Sequence, residues 1–110
     1  MVKHFDYSMV SAVRIDKFPD LFDSEKLGIV NFEAVIKFSD GRVEASFPAY
    51  TREGAIQAAK QLIKHYRPND SYPPAYQQTP EKAREMWEPG YLVESSETIN
   101  YQMLVEHKVS

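Results

Sequence analysis

Residues 29–49 have the sequence IVNFEAVIKFSDGRVEASFPA, and this stretch decides the fold. Apolar and polar residues alternate on both sides of Asp40-Gly41, which is the period of a β-strand with one buried face. The dipeptide Asp-Gly favours a two-residue turn, because both positions tolerate the positive φ that a type I′ turn requires. The stretch therefore predicts a β-hairpin whose loop is Asp40-Gly41.

A two-residue loop also predicts how the two strands pair. It places their apolar residues opposite one another on a single face, in the pairs Phe38–Val43, Ile36–Ala45 and Ala34–Phe47. On the other face it sets Lys37 opposite Glu44, a favourable cross-strand charge pair. A shift of one residue would place Phe38 against Arg42 and lose this match. The turn and the hydrophobic pattern therefore predict the same register.

Two helices are predicted after the hairpin. Thr51 is a suitable N-cap, and a helix from Arg52 to Tyr66 would carry its apolar residues at spacings of three and four. That apolar stripe consists of Ala55, Ile56, Ala59, Leu62, Ile63 and Tyr66. A shorter helix begins at Thr79-Pro80 and ends by Glu88. The Pro- and Tyr-rich loop at 67–79 is expected to be extended and polyproline-like.

Alternating residues predict the remaining strands. One strand covers residues 9–17, a second begins at Leu92-Val93, and a third covers residues 99–109 after a turn at 95–97. The order β-β-β-α-α-β-β predicts an α+β fold, a mostly antiparallel sheet of about five strands with the helices packed on one face. At 110 residues the chain is expected to form a single domain, 1–110, because two separate cores would each be marginal.

Composition restricts the compartment and the class of partner. The net charge of −3 argues against general nucleic-acid binding, which usually requires a basic surplus. The chain contains no cysteine, which favours a reducing cytoplasm over an extracellular location. No run of eighteen apolar residues occurs, so no membrane span is expected. The composition therefore predicts a cytoplasmic protein without membrane association.

The sequence contains no recognised catalytic or cofactor-binding motif. It lacks a Gly-x-Ser-x-Gly elbow and a Gly-rich phosphate loop. His4, His65 and His107 have no His, Asp or Glu at metal-ligand spacing in a known motif. We therefore expect no catalytic residues, no metal and no cofactor. Paired carboxylates act in acid–base chemistry when burial separates their pKa values, which a sequence does not reveal.

One segment combines aromatic and basic residues at unusual density. The candidate binding residues within it are Tyr66, Arg67, Tyr72, Tyr76, Arg84, Trp87 and Tyr91. Tyr, Trp and Arg are enriched where proteins bind other proteins, so we expect a non-enzymatic binding or regulatory module that contacts another protein. The alternative function is binding of a small anionic or nucleotide-like ligand through the same rings and cations. These rings would otherwise serve only to fasten the loop and the second helix to the domain.

Two further features concern partners. Pro73-Pro74-Ala75-Tyr76 resembles the Pro-Pro-x-Tyr ligand of WW domains, and a rigid linker is the alternative interpretation. The final strand, if it lies at the edge of the sheet, offers a surface for dimerisation. If it is central, it needs no partner. We therefore include a second copy of the chain, in a homodimer, among the expected partners.

Overall fold

The computed structural model describes residues 7–19, 30–100 and 104. Four strands form one antiparallel sheet in the order β3-β2-β1-β4. They are β1 (Val10–Pro19), β2 (Val30–Phe38), β3 (Val43–Ala45) and β4 (Ser95–Ile99). Two α-helices, α1 (Arg52–Lys64) and α2 (Pro80–Trp87), lie in the chain between β3 and β4. The predicted α+β class is confirmed, although the described part of the chain has four strands rather than about five.

The first helix covers one face of the sheet. Its N-terminus begins as predicted, because the Thr51 hydroxyl accepts a hydrogen bond of 3.0 Å from the Gly54 N–H. The buried side of the helix packs against every second residue of β1 and of β2, which lie on one face of the sheet. These residues are Val13, Ile15, Ala34, Ile36 and Phe38. We call this the first face. Ala55, Ile56, Ala59 and Ile63 are buried there, whereas Leu62 is half-buried.

The second helix packs on the opposite face, contrary to the expectation that both helices share one. Ala83, Met86 and Trp87 of α2 contact Val35 and Val43. Val35 and Ile36 are consecutive in β2, so their side chains point to opposite sides of the sheet. We call the side that carries Val35 the second face. The sheet is therefore the middle of three layers.

The hairpin forms, but its predicted register is wrong by one residue. Phe38 pairs with Arg42, and Lys37 pairs with Val43, so Phe38 and Val43 lie on opposite faces. Lys37 is likewise not opposite Glu44, which pairs with Ile36. The shift arises because the loop has three residues rather than two, with Gly41 at φ 95°. A type I turn followed by a left-handed glycine is the usual three-residue hairpin loop.

The predicted register returns beyond a bulge. The Ser46 N–H donates to the Ala34 carbonyl at 2.8 Å, and Phe32 then pairs with Ala49 through two bonds of 2.7 and 2.8 Å. Three steps along one chain thus match two steps along β2, which inserts one extra residue. Phe47 lies in this bulge and is 91% exposed. It was predicted to face Ala34 in the core.

The loop between the helices is more regular than predicted. Asn69–Ser71 and Pro74–Tyr76 each form one turn of 3-10 helix. The flanking Pro68, Tyr72, Pro73 and Gln77 have φ between −55° and −80° and ψ between 139° and 151°, the polyproline II region. The polyproline-like prediction thus holds for the residues between and beside the two turns.

The end of the chain departs from its predicted strands. The strand is Ser95–Ile99, where a turn was expected at 95–97, and Leu92-Val93 does not begin one. The Leu104 N–H donates to the Asn100 carbonyl at 3.2 Å, an i to i−4 bond of helical type that a strand at 99–109 would not make. Residues 101–103 and 105–109 of that predicted strand lie outside the described residues. In the described ranges no helix is both long and apolar enough to cross a membrane.

Candidate functional site

A buried ion pair holds the second helix against the sheet. Arg14 and Asp16 of β1 lie on the second face and join through two hydrogen bonds of 2.7 and 3.0 Å. The Ser96 hydroxyl donates to Asp16 at 2.8 Å. Arg14 also donates to the Trp87 carbonyl, and its guanidinium carbon lies 4.8 Å from the centroid of the Trp87 ring. A guanidinium at the last turn of a helix satisfies a free carbonyl and complements the helix dipole.

On one side of α2 the second face forms a groove of about 380 Å³. Its apolar lining consists of Phe18, Val35, Ala45, Met86, Leu92 and Val93. Its charged lining consists of the Arg14–Asp16 pair, Glu33 and Glu88. Three carboxylates against one guanidinium give this groove a net negative charge. We call it the acidic groove.

Glu33 is a half-buried carboxylate of the acidic groove that has no side-chain partner among the described residues. It is half-buried and stands opposite Asp16 in the β1–β2 register. Its side chain makes no hydrogen bond or ion pair with any described residue, whereas Asp16 is bound to Arg14 and Ser96. Burial raises the pKa of Glu33, the nearby Asp16 charge raises it further, and Arg14 partly offsets both. A cation placed against Glu33 would favour its charged form and so offset both effects.

On the other side of α2 a second groove, of about 360 Å³, has the opposite character. Lys37 and Arg84 line it and are exposed, with no ion pair to any residue in the described ranges. Between them the lining includes the Trp87 ring, whose centroid lies 5.7 Å from the Lys37 Nζ. Asp40 is the one carboxylate among the lining residues. We call this the basic groove.

The loop between the helices forms one wall of the basic groove. The Gln78 side chain accepts from the Val43 N–H at 2.7 Å and donates to the Val43 carbonyl at 3.0 Å, as a neighbouring strand would. Asn69 in turn accepts from the Gln78 N–H and donates to the Gln78 carbonyl. This pairing covers the outward edge of β3 at Val43 and holds the loop in place.

The Asp40 carboxylate already accepts hydrogen bonds from the wall of the basic groove and from the hairpin turn. Its carboxylate accepts from the N–H of Asn69 at 2.8 Å and from the N–H of Arg42 at 3.1 Å. Although partial burial opposes the charged form, these bonds hold the pKa of Asp40 below its usual range. Asp40 therefore remains an anion whose oxygens serve the turn and the loop.

Three of the predicted binding residues, Tyr66, Arg67 and Tyr72, hold the loop between the helices in place. The Tyr66 ring packs on Phe38 with centroids 4.3 Å apart, and burial together with its hydrogen bond to Asp40 raises its pKa to about 12. Two guanidinium groups lie against the Tyr72 ring, that of Arg42 at 3.8 Å and that of Arg67 at 4.5 Å. Arg67 also donates to the Ser71 carbonyl at 2.8 Å. These contacts fasten the loop to the end of α1 and to the hairpin.

The other four predicted residues divide between the grooves and the open surface. Arg84 and Trp87 line the basic groove. Tyr91 is 95% exposed and lies between two residues of the acidic-groove lining, Gly90 and Leu92. Tyr76 is 71% exposed and lines neither groove. The segment is thus not one continuous binding surface.

Sequence reasoning missed the strand residues of both grooves. Arg14, Asp16, Glu33 and Lys37 alternate with core residues of β1 and β2, the pattern of a solvent-facing strand side. One signal was available. β1 carries an arginine and an aspartate two residues apart, and residues i and i+2 of a strand lie on the same face, where opposite charges can pair.

Neither similarity to known proteins nor a metal-binding cluster indicates the function of this protein. A comparison with known protein families, curated proteins and solved structures finds no match for this chain. Among the described residues, no three His, Asp or Glu side chains are grouped so as to hold a metal ion.

Proposed function

We propose that this protein is a non-enzymatic binding module that holds a short segment of another protein in the acidic groove. The observation that carries the proposal is a concave apolar surface whose lining includes Glu33, a carboxylate with no side-chain partner in the described part of the chain. Leu92, 44% exposed, and Tyr91, 95% exposed, offer apolar area beside it. A few anchoring residues in a desolvated pocket supply most of the affinity of an interface.

The charges of the groove specify the segment. An apolar side chain would contact Val35, Met86 and Leu92, and an adjacent Lys or Arg would contact Glu33 and Glu88. Complementary charge speeds association and excludes acidic partners. Residues 20–29 of the chain itself carry three carboxylates and one lysine, so their charge has the same sign as that of the groove. The absence of cysteine fits a partner in the reducing cytoplasm.

The experiment is selection from two pools of short peptides. One pool combines Leu, Met or Phe with an adjacent Lys or Arg, and the other has Asp or Glu in place of the basic residue. The protein should enrich peptides only from the first pool. Glu88→Lys and Leu92→Asp should each weaken the selected peptides by about 2 kcal/mol or more, a factor of about thirty in Kd.

Matched controls separate the groove from the rest of the surface. Glu85→Lys makes the same charge change on α2, and Phe47→Asp makes the same kind of change at an exposed apolar residue. Neither residue lines the acidic groove, so both variants should bind like the parent protein. Equal enrichment from the two pools would refute the proposal. A dimer in light scattering that Leu92→Asp dissociates would instead assign the groove to a second copy.

A further inference from the structure

The basic groove is a second concave site, separated from the acidic groove by α2. Its volume of about 360 Å³ falls in the range of pockets that hold small molecules. Its lining pairs apolar groups, Val43, Ala83 and the Trp87 ring, with the cations Lys37 and Arg84. Small-molecule sites typically combine such an apolar surface with a few polar groups that fix orientation.

We infer that the basic groove binds a small aromatic anion, with its anionic group at Lys37 and Arg84 and its ring against Trp87. This inference does not depend on the proposed partner of the acidic groove. The ligand belongs to the chemical class of a nucleoside monophosphate or an aromatic carboxylate, in which one acidic group is joined to a planar ring.

The two cations are available, in contrast to the other arginines nearby. The guanidinium of Arg14 is bound to Asp16, and that of Arg42 is bound to Glu44 at 2.6 Å and to Asn69 at 2.7 Å. Lys37 and Arg84, by comparison, pair with no carboxylate in the part of the chain that the structure describes. Guanidinium and ammonium groups without a carboxylate partner bind the carboxylate or phosphate oxygens of a ligand through charge-assisted hydrogen bonds.

The negative charge of Asp40 does not close the groove to an anion. Its two oxygens accept from the backbone N–H groups of Asn69 and Arg42, so they face the loop and the turn. Trp87 is the feature that selects a ring. Arg14 holds the carbonyl of this residue, and Ala83 and Val43 pack beside it, so the indole is positioned before any ligand enters.

Tryptophan fluorescence tests this inference directly, because Trp87 is the only tryptophan in the chain. The probes are adenosine monophosphate and benzoate, with adenosine and inorganic phosphate as the ring and the anion alone. Adenosine monophosphate or benzoate should change Trp87 emission in a saturable manner at or below about 1 mM. Adenosine and phosphate should each bind at least tenfold more weakly, since each lacks one half of the recognised group.

Charge-matched variants locate the binding. Arg84→Gln should weaken the saturating probe about tenfold or more, because it removes a charge-assisted contact. Lys82→Gln removes the same charge from the same helix but lies outside the groove lining, so it should have little effect. Leu92→Asp in the acidic groove should also leave anion binding unchanged, whatever it does to peptide binding.

Circular dichroism establishes that each variant is folded before it is titrated. Equal losses for Arg84→Gln and Lys82→Gln would reduce the effect to general charge attraction and overturn the inference. The inference would also be overturned if Trp87 emission responded to neither anionic probe. The same holds if it responded to phosphate alone as strongly as to adenosine monophosphate.

Discussion

Removing the guanidinium of Arg14 should be among the most damaging single changes on the second face. Arg14 and Asp16 are 6% and 5% exposed, so Arg14→Met would leave a buried carboxylate whose one remaining side-chain partner among the described residues is the Ser96 hydroxyl. Breaking a buried ion pair in this way costs about 3–5 kcal/mol. The contact of the buried guanidinium with the Trp87 ring adds about 1–2 kcal/mol. A domain of this size has about 5–15 kcal/mol of stability in total, so the variant should lose a large share of it.

Two comparisons identify the source of that loss. The double variant Arg14→Met/Asp16→Leu also removes the stranded carboxylate, and it should unfold within about 1 kcal/mol of the parent protein. Arg52→Met breaks a pair of similar geometry, 2.5 Å from Glu97, whose side chains are 36% and 43% exposed. Solvent screens that pair, so the expected cost is about 0–1 kcal/mol.

Urea unfolding followed by far-ultraviolet circular dichroism measures all four proteins without relying on Trp87. The slope of free energy against urea should stay constant, which shows that the denatured state has not changed. A loss below about 1 kcal/mol for Arg14→Met would mean that the buried pair does not hold α2. A double variant as unstable as the single one would show that the stranded carboxylate is not the cause.

Three further changes test the turn, Glu33 and the core. Gly41→Ala should cost about 1–2 kcal/mol in urea unfolding, because φ is 95° while nothing lies within 4 Å of an added Cβ; an unchanged midpoint would contradict the turn geometry. The raised pKa of Glu33 means that its contribution to stability is complete below the unfolded pKa and is lost as pH rises through the folded pKa. Glu33→Gln should therefore stabilise the protein more at pH 7 than at pH 4, and urea midpoints that shift equally at both would refute this. Ile63→Ala, at a side chain 3% exposed, should cost about 2–5 kcal/mol, and Leu62→Ala distinctly less; equal costs would place both in the core.

The sequence was sufficient for elements whose signals are local. The helix at Arg52–Lys64 follows from an N-cap threonine and an apolar stripe of helical period, and both features lie within the segment itself. The second helix follows in the same way from Thr79 and Pro80, since the Thr79 hydroxyl accepts from the Lys82 N–H as a cap should. With the β alternation around them, these elements were enough to predict the α+β class.

The register of the hairpin depended on contacts that are distant in sequence. Asp-Gly is compatible both with a two-residue loop and with a three-residue loop that begins at Ser39. The hydrogen bond from the Asn69 N–H, in the loop between the helices, to Asp40 holds the observed turn. The bulge at Phe47 then restores the predicted pairing at Ala49. Neither the three-residue loop nor the bulge is indicated by the sequence of the hairpin itself.

The division of the second face into two grooves follows from the lengths of its elements. An α-helix rises about 1.5 Å per residue, so the eight residues of α2 cover about 12 Å. The nine residues of β2 extend about 30 Å at about 3.3 Å each. A helix this short leaves part of the strand surface uncovered. The side chains left there differ in sign, with Glu33 and Asp16 beyond one side and Lys37 beyond the other. The same short helix thus creates two sites of opposite charge, and Arg14, bound to Asp16 and to Trp87, connects them.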